Sequence, residues 1–353
     1  MSNKLKIALV GCGGMARLYR HIYTKIDGAE LYMLIDVNEQ TAKTAAEELG
    51  VERWSTDFED CLCDEVDIVD ISTPNFLHKD QTIAAIKAGK SVLLQKPVTV
   101  TVAEAVEIAE AQKRYGANVG VYMEMRSHPV CNEVRDIVQK GLLGTITSTR
   151  ARKAYPTGLN LKPEDWRSDI TKTGGGGFVQ LGVHNIDLCM WILGQRIKSV
   201  FAYSANNLCP NMDGDDSTVA LVEYENGICG VIETAYNSSP LKSVEIYGSE
   251  GYVIINEPDS VTVHFKAPYS GSLIKYNGDG EQTFQTGFVH RELYRTDNPY
   301  EQHIAFINAI KEGREVPVDF SEGLFDMQII DSVYKSAKEK KYINLKDEWR
   351  NIK

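Results

Sequence analysis

The sequence predicts an α/β protein: a doubly wound parallel sheet over residues 1–123, then an α+β domain over 124–353 built on a large, open, mainly antiparallel sheet. Three observations predict it. At 353 residues the chain can form two domains whose cores need no disulfide or metal staple. Over roughly the first 120 residues, short apolar runs alternate with stretches of helical apolar spacing, the rhythm of βαβ units and a parallel sheet. From Ile197 to about Phe284, strand follows strand across tight turns, which makes sequence neighbours antiparallel.

In the first domain, strands are expected at Lys6–Val10, Glu30–Ile35, Val66–Ile71, Ser91–Leu94 and Asn118–Val121. Helices are expected between them at Ala16–Ile26, Glu39–Leu49, Asp80–Ala88 and Val102–Tyr115. Gly50, Gly89 and Gly116 stand just past three of these helices, where a left-handed C-terminal residue costs glycine little. After about Glu124 the pattern gives a helix at Pro129–Lys140, a strand at Thr145–Tyr155, an irregular stretch to Thr173 and a helix at Phe178–Leu193. The strands that follow include Ser217–Tyr224, Ile228–Ala235, Ser243–Tyr247, Tyr252–Asn256 and Ser260–Phe265, with turns at Glu225-Asn226-Gly227 and Ser249-Glu250-Gly251. Helices at about Pro299–Lys311 and Glu322–Lys340 close the chain. A wide sheet with helices on one face needs a cover for the other, and a second copy is the simplest, so a homodimer or homotetramer is expected.

Composition excludes several classes. Hydrophobic residues at 43% and charged residues at 25% are the balance of a folded globular chain. A net charge of -11, from 38 Lys+Arg against 49 Asp+Glu, argues against nucleic acid as a partner. Nothing approaches the ~20 apolar residues of a membrane span, and the run Ile7–Val10 is too short for a signal-peptide core, so a cytoplasmic protein is expected. The seven cysteines form no CxxC pair and read as reduced thiols, mostly buried; no metal site is expected.

Directly after the first strand stands Gly11-Cys12-Gly13-Gly14-Met15-Ala16, a G-x-G-x-x-A turn opening a helix. Its glycines let a pyrophosphate approach backbone N–H groups and the helix dipole. Asp36 ends the second strand, twenty residues past Ala16, where a carboxylate accepts hydrogen bonds from a ribose 2′-OH. It would repel a 2′-phosphate, and no arginine follows before Arg53, so NAD is expected over NADP. Ser72-Thr73-Pro74-Asn75-Phe76-Leu77-His78 lies at the next strand end, which should border the cofactor; Asn75 could cap the following helix, and His78 reads mainly as structural. The following strand ends in Gln95-Lys96-Pro97, where proline fixes the direction of a lysine beside the expected nicotinamide. Finally, Gly174-Gly175-Gly176-Gly177 precede a helix on which Gln180 and His184 are i and i+4, with Asp187 three further on; the glycines would allow close approach of cofactor or substrate.

These segments, in this order, resemble the Gfo/Idh/MocA oxidoreductases, relatives of glucose-fructose oxidoreductase and inositol dehydrogenase. Arg126-Ser127-His128-Pro129, Asp165-Trp166-Arg167 and Asn308-Ala309-Ile310 extend the resemblance over nearly the whole chain. It implies a Rossmann first domain, a second domain on an open sheet, dimers or tetramers, and hydride transfer between NAD(P) and a sugar or cyclitol hydroxyl. It makes Lys96 the residue that binds the reacting hydroxyl and His184 the general base. Trp166 and Arg167 match residues at the cofactor and substrate, and Arg126 an arginine of the loop entering the second domain. Glu124, Tyr155 and Gln180 complete the expected substrate contacts, with Tyr122, Asn185, His290 and Tyr294 as further polar or aromatic candidates.

Two positions depart from the family pattern: Gln95 replaces the usual glutamate and Gln180 the usual aspartate. An amide orients an imidazole but does not stabilise imidazolium by charge. Either Glu124 or Asp187 supplies that charge, or the altered site serves another step or substrate. The leading functional reading is a dehydrogenase with exchangeable NAD acting on a secondary hydroxyl. The alternatives are a glycosidase of the same family with tightly held NAD, using transient ring oxidation and elimination, and a cofactor-binding protein without catalysis.

Overall fold

A computed structural model describes residues 4–257, 260–285 and 301–345. The described parts of Met1–Glu124 and Arg291–Leu324 form one compact unit, and those of Met125–His290 and Phe325–Lys353 form another.

The first unit contains six parallel strands: β1 (Leu5–Val10), β2 (Ala29–Ile35), β3 (Trp54–Ser55), β4 (Ile68–Ile71), β5 (Ser91–Gln95) and β6 (Val119–Tyr122). Their order is β3-β2-β1-β4-β5-β6. The direction of winding reverses between β1 and β4, and the carboxyl ends of strands at such a switch point are where ligands bind open α/β sheets. Ile7, Leu9, Leu34, Ile68 and Leu93 are fully or almost fully buried in the core.

Helix α1 (Ala16–Tyr19) is short and continues as a 3-10 turn over Arg20–Thr24, where a single helix to Ile26 is expected from the sequence. The chain tightens where buried Arg20 turns its guanidinium inward to the Cys12 carbonyl oxygen at 2.8 Å. Helix α2 (Glu39–Leu49) has the expected bounds: Asn38 accepts from the Thr41 N–H, and Gly50 ends it at φ 66°. Helix α3 (His78–Lys87) follows β4, and α4 (Val102–Tyr115) follows β5. Thr101 and Glu104 form a capping box on α4, and Gly116 closes it at φ 64°.

The second unit opens with α5 (Pro129–Gln139), β7 (Ile146–Ala154) and the short α6 (Ile170–Thr173). A π-helical turn at Phe178–Gly182 then leads into α7 (Val183–Leu193), so the expected uniform helix is over-wide in its first turn. The remaining strands are β8 (Ile197–Ala205), β9 (Ser217–Tyr224), β10 (Cys229–Ala235), β11 (Leu241–Gly248), β12 (Gly251–Glu257), β13 (Ser260–Phe265), β14 (Tyr269–Ser270), β15 (Lys275–Tyr276), β16 (Gln282–Gln285) and β17 (Ile343–Asn344). Eight of them and β7 make one sheet in the order β16-β13-β12-β11-β7-β10-β9-β8-β17. Strands joined by short turns are antiparallel, as expected, but β7 lies parallel to β10. No short turn links those two strands, so nothing local dictates their direction.

Helices α8 (Gln302–Glu312) and α9 (Phe320–Glu339) follow, and the division between the units falls within α9. The sequence reading assigns α8 to the second domain, whereas it packs with the first unit. Gln302 accepts from the Met123 N–H at 2.7 Å and donates to the Val121 carbonyl at 3.1 Å, and the Val121 N–H donates to the Val318 carbonyl at 2.9 Å. A Cβ on Gly120 would lie 2.7 Å from the Phe306 ring, so glycine lets α8 sit directly on β6.

Candidate active site

In the first unit, Gly11 sits at φ +87°, and a Cβ there would come within 2.8 Å of the Ser72 carbonyl group. The turn therefore closes against the end of β4 only with glycine. Gly13 and Gly14 differ: a Cβ on either would meet nothing within 4 Å, which leaves room for a ligand group beside the backbone. Met15 is half-buried and Ala16 fully buried behind this turn. Asp36 leans toward it, with Oδ2 accepting from the Cys12 N–H at 2.9 Å and Oδ1 from the Asn38 N–H at 2.9 Å. Each carboxylate oxygen keeps a further lone pair for a ribose hydroxyl. Burial, and then Asp36, push the Cys12 thiol up to about 12, so it stays neutral. Open glycine backbone and an anchored carboxylate at the switch point fit a dinucleotide.

The next two strand ends are tied together by His78. Its Nε2 lies 2.8 Å from the Thr73 carbonyl oxygen and its Nδ1 3.0 Å from that of Pro97. Burial lowers its pKa to about 4, so the ring is neutral and structural. Thr73 donates its hydroxyl to Gln81 at 2.7 Å, and Ser72 bonds the Tyr19 hydroxyl. Asn75 does not cap α3: it begins a 3-10 turn after Pro74, and its buried amide donates to the Thr99 carbonyl at 3.4 Å. The turn that begins at Asn75 leaves Leu77, two residues later, at the capping position.

Lys96 follows the last residue of β5, with a cis peptide to Pro97. Its own N–H donates to Gln95 Oε1 at 3.1 Å, and the buried Gln95 Nε2 has no partner among the described residues. Glu124 is buried at the start of a 3-10 turn. Tyr122, a candidate ligand contact in the sequence, is a core residue: its ring lies 4.4 Å from that of His303, and its hydroxyl reaches Glu301 at 3.5 Å. His303 in turn meets Glu301 through Nδ1 at 2.8 Å and stands 3.8 Å from buried Asp70. Burial opposes its charge, yet Glu301 and then Asp70 hold its pKa above the ordinary value.

In the second unit, the glycine run is filled by the protein itself. A Cβ on Gly175 would lie 2.2 Å from the Tyr334 hydroxyl oxygen, and one on Gly176 would lie 2.1 Å from the Asp215 carbonyl oxygen. Asp215 accepts from the Gly176 and Phe178 N–H groups, each at 2.9 Å, and from the Thr218 hydroxyl at 2.7 Å. The expected close approach is thus made by Asp215 and Tyr334, two residues that sequence reasoning missed. Gln180 and His184 follow on the turn so anchored, exposed by only 8% and 6%.

Asp187 is committed to Arg126, which donates from Nε at 3.0 Å to both carboxylate oxygens and from Nη2 at 2.5 Å. Arg167 stacks on Trp166 at 4.4 Å in a 3-10 turn. Tyr155 packs against Leu161, Leu181, Cys209, Met212 and Tyr236, with the Lys242 ammonium 5.5 Å from its ring. Asn185 is buried and lines a cleft. His290 and Tyr294 lie outside the described residues. All seven cysteines are free, five of them buried.

Comparison with known proteins adds to this picture. A family model described as "Oxidoreductase family, NAD-binding Rossmann fold" matches residues 5–123, and one described as "GFO/IDH/MocA C-terminal domain" matches residues 131–254. The chain is 26% identical over 362 residues to D-apiose dehydrogenase of Paraburkholderia graminis, covering 97% of this chain and 90% of the relative. It is 24% identical over 349 residues to myo-inositol 2-dehydrogenase of Thermotoga maritima, covering 97% and 99%. Among solved structures, levoglucosan dehydrogenase in complex with NADH and levoglucosan superposes with a TM-score of 0.86 at 23% identity, over 97% of this chain and 99% of that one. Two matched family models, full-length relatives and a shared fold converge on one conclusion: the chain belongs to the Gfo/Idh/MocA family of oxidoreductases.

Proposed function

We propose that the protein is an NAD-dependent dehydrogenase that oxidises a secondary hydroxyl of a sugar, sugar derivative or cyclitol. The observation that carries this reading is the anchored Asp36 carboxylate beside the open Gly13-Gly14 backbone, which suits an unphosphorylated ribose. The nicotinamide, when bound, supplies the hydride acceptor. Lys96 donates a hydrogen bond to the reacting hydroxyl and stabilises its developing negative charge. His184 accepts the hydroxyl proton, a task suited to imidazole, whose ordinary pKa lies near neutrality. Gln180 orients that ring without adding charge, and Asp187, paired with Arg126, keeps the base helix in register.

A panel of sugars and inositols followed by NADH absorbance tests the reading with wild type, Lys96→Ala and His184→Ala. Turnover should fall by about 100-fold or more in each variant while NADH binding persists; undiminished turnover in both overturns the reading. NAD should give the higher kcat/KM, and a preference for NADP overturns the cofactor assignment. Extensive dialysis should strip the nucleotide, whereas a near-stoichiometric residue would favour the glycosidase with tightly held NAD.

The same reading includes a homo-oligomer. Phe201 and Leu221 are register partners on β8 and β9, as are Tyr203 and Val219, and all four are exposed on the sheet face away from the helices. A second copy would cover this apolar row.

A further inference from the structure

We propose that the second unit carries an anion subsite between α7 and the sheet, so that the substrate is a polyhydroxylated molecule bearing a carboxylate or a phosphate. This rests on the dehydrogenase reading above and narrows its substrate class. A narrow cleft is lined by Met125, Arg152, Lys153, Asn185, Lys242, Ser243, Val244 and Ile255. Three of these eight residues are basic, and none is Asp or Glu.

The strand register decides which cations face the cleft. Lys153 on β7 and Lys242 on β11 are direct cross-strand partners, two residues from the buried pair Ala151 and Val244. Side chains alternate along a strand, so both lysines share that inner face. Arg152 falls on the opposite face, where it pairs with Glu233 at 3.0 Å. Each ammonium carries three donors, so each can give one to a ligand oxygen beside any protein partner.

The third donor belongs to Asn185. This side chain is 4% exposed, and its Nδ2 has no hydrogen-bond partner among the described residues. An unmet buried donor is costly, and a ligand oxygen in the cleft would satisfy it. Its place in the chain ties the cleft to the chemistry, since Asn185 directly follows His184. A neutral polyol needs acceptors as well as donors, and this cleft offers mainly donors.

The test compares matched pairs on the full-length protein with NAD: D-glucose against D-glucuronate, D-galactose against D-galacturonate, and myo-inositol against its monophosphate. Among pairs that turn over, the anionic member should lead by about tenfold or more in kcat/KM. Lys153→Gln and Lys242→Gln should bring that ratio near parity, and Asn185→Asp should reverse it. A preference for the neutral members, or an anionic preference that survives both lysine variants, overturns the subsite. Should buried Lys153→Gln fail to fold, half-buried Lys242→Gln and the near-isosteric Asn185→Asp decide the matter. If no compound is turned over, calorimetric titration of the NADH-loaded protein with the same acids and phosphate separates the two ideas. Binding that Lys242→Gln abolishes upholds the subsite while the dehydrogenase reading fails, and absence of binding overturns the subsite.

Discussion

The hydroxyl of Tyr334 donates to Oδ1 of Asp215 at 2.7 Å, and both groups accept backbone N–H donors from the turn that leads to His184. Tyr334 takes those of Gly176 at 3.2 Å and Val179 at 3.1 Å, while Asp215 takes those of Gly176 and Phe178. A buried carboxylate and a half-buried phenol thus fix the over-wide first turn of the helix, whose leading N–H groups have no intrahelical partners.

Removing the phenol hydroxyl takes a donor from the Asp215 carboxylate and the acceptor from the Val179 N–H, while the Gly176 N–H keeps Asp215. Tyr334→Phe should therefore lower stability by about 1.5–3 kcal/mol in urea unfolding. Because the turn carries His184, kcat should fall more than KM rises. Unchanged kinetics in a destabilised variant would restrict the pair to holding the fold.

The glycines of the nucleotide turn separate by mechanism. Gly11→Ala places a Cβ against the Ser72 carbonyl at positive φ, so it should lower the melting temperature with or without cofactor. Gly13→Val sets its Cβ where no protein atom lies within 4 Å, so the apo protein should melt near wild type while NADH affinity, read by fluorescence, falls about tenfold or more. Equal NADH affinity in Gly13→Val would remove this turn from the cofactor site.

Acid should cost stability at His78, because its burial opposes the charged ring. The His78 ring ionises near 4 in the fold, against an ordinary value of 6.5, because it is buried. Between those values the unfolded chain binds more protons, so this contribution is complete above about 6.5 and is lost as pH falls toward 4, a change of ~3 kcal/mol. His303, with its raised pKa, works in the opposite sense: its contribution is present below 6.5 and lost as pH rises through the higher folded value. His78→Gln should flatten the acid limb of a stability-pH curve measured by denaturant melts; an unchanged limb would show that other groups set it.

Restoring the carboxylate that the family usually places before the base should strengthen that base. Asp187 is held by Arg126, so its charge is already engaged. Gln180→Asp should raise kcat by about tenfold and move the acidic limb of the pH-rate profile to higher pH. A modest change in both would mean that another carboxylate already acts on the imidazole.

A charge on the exposed apolar row should oppose assembly. Leu221→Glu places a carboxylate opposite Phe201 on the outer sheet face. Light scattering at micromolar concentration should show a larger mass for wild type and a monomer for the variant. Monomeric wild type would leave the row without the role proposed for it.

Local signals made much of the fold legible. Helices α2 and α4 begin and end where the sequence places them because Asn38, the Thr101–Glu104 box and the closing glycines all act within a few residues. The strands β9 and β13 also have their expected bounds. The nucleotide turn, Asp36 and Lys96 could be placed because a strand end defines where each stands. What escaped depends on distance along the chain. Asp215 lies 39 residues and Tyr334 158 residues from the Gly176 N–H they share, so nothing near the glycines reveals what fills them. The same holds for Lys153 and Lys242, which look like surface charges until β7 is set beside β11.

The late return of α8 to β6 changes what counts as a module. A fragment cut at residue 123 would carry the complete nucleotide turn yet leave the Val121 N–H, the Met123 N–H and the Val121 carbonyl without the partners that Gln302 and Val318 provide. It would also expose one margin of the parallel sheet, inviting chain-to-chain pairing. Recombination between relatives that exchanges only the amino-terminal segment would join a sheet to a foreign strap. The inherited unit is therefore a pair of distant segments, and a substitution in either one constrains what the other can accept.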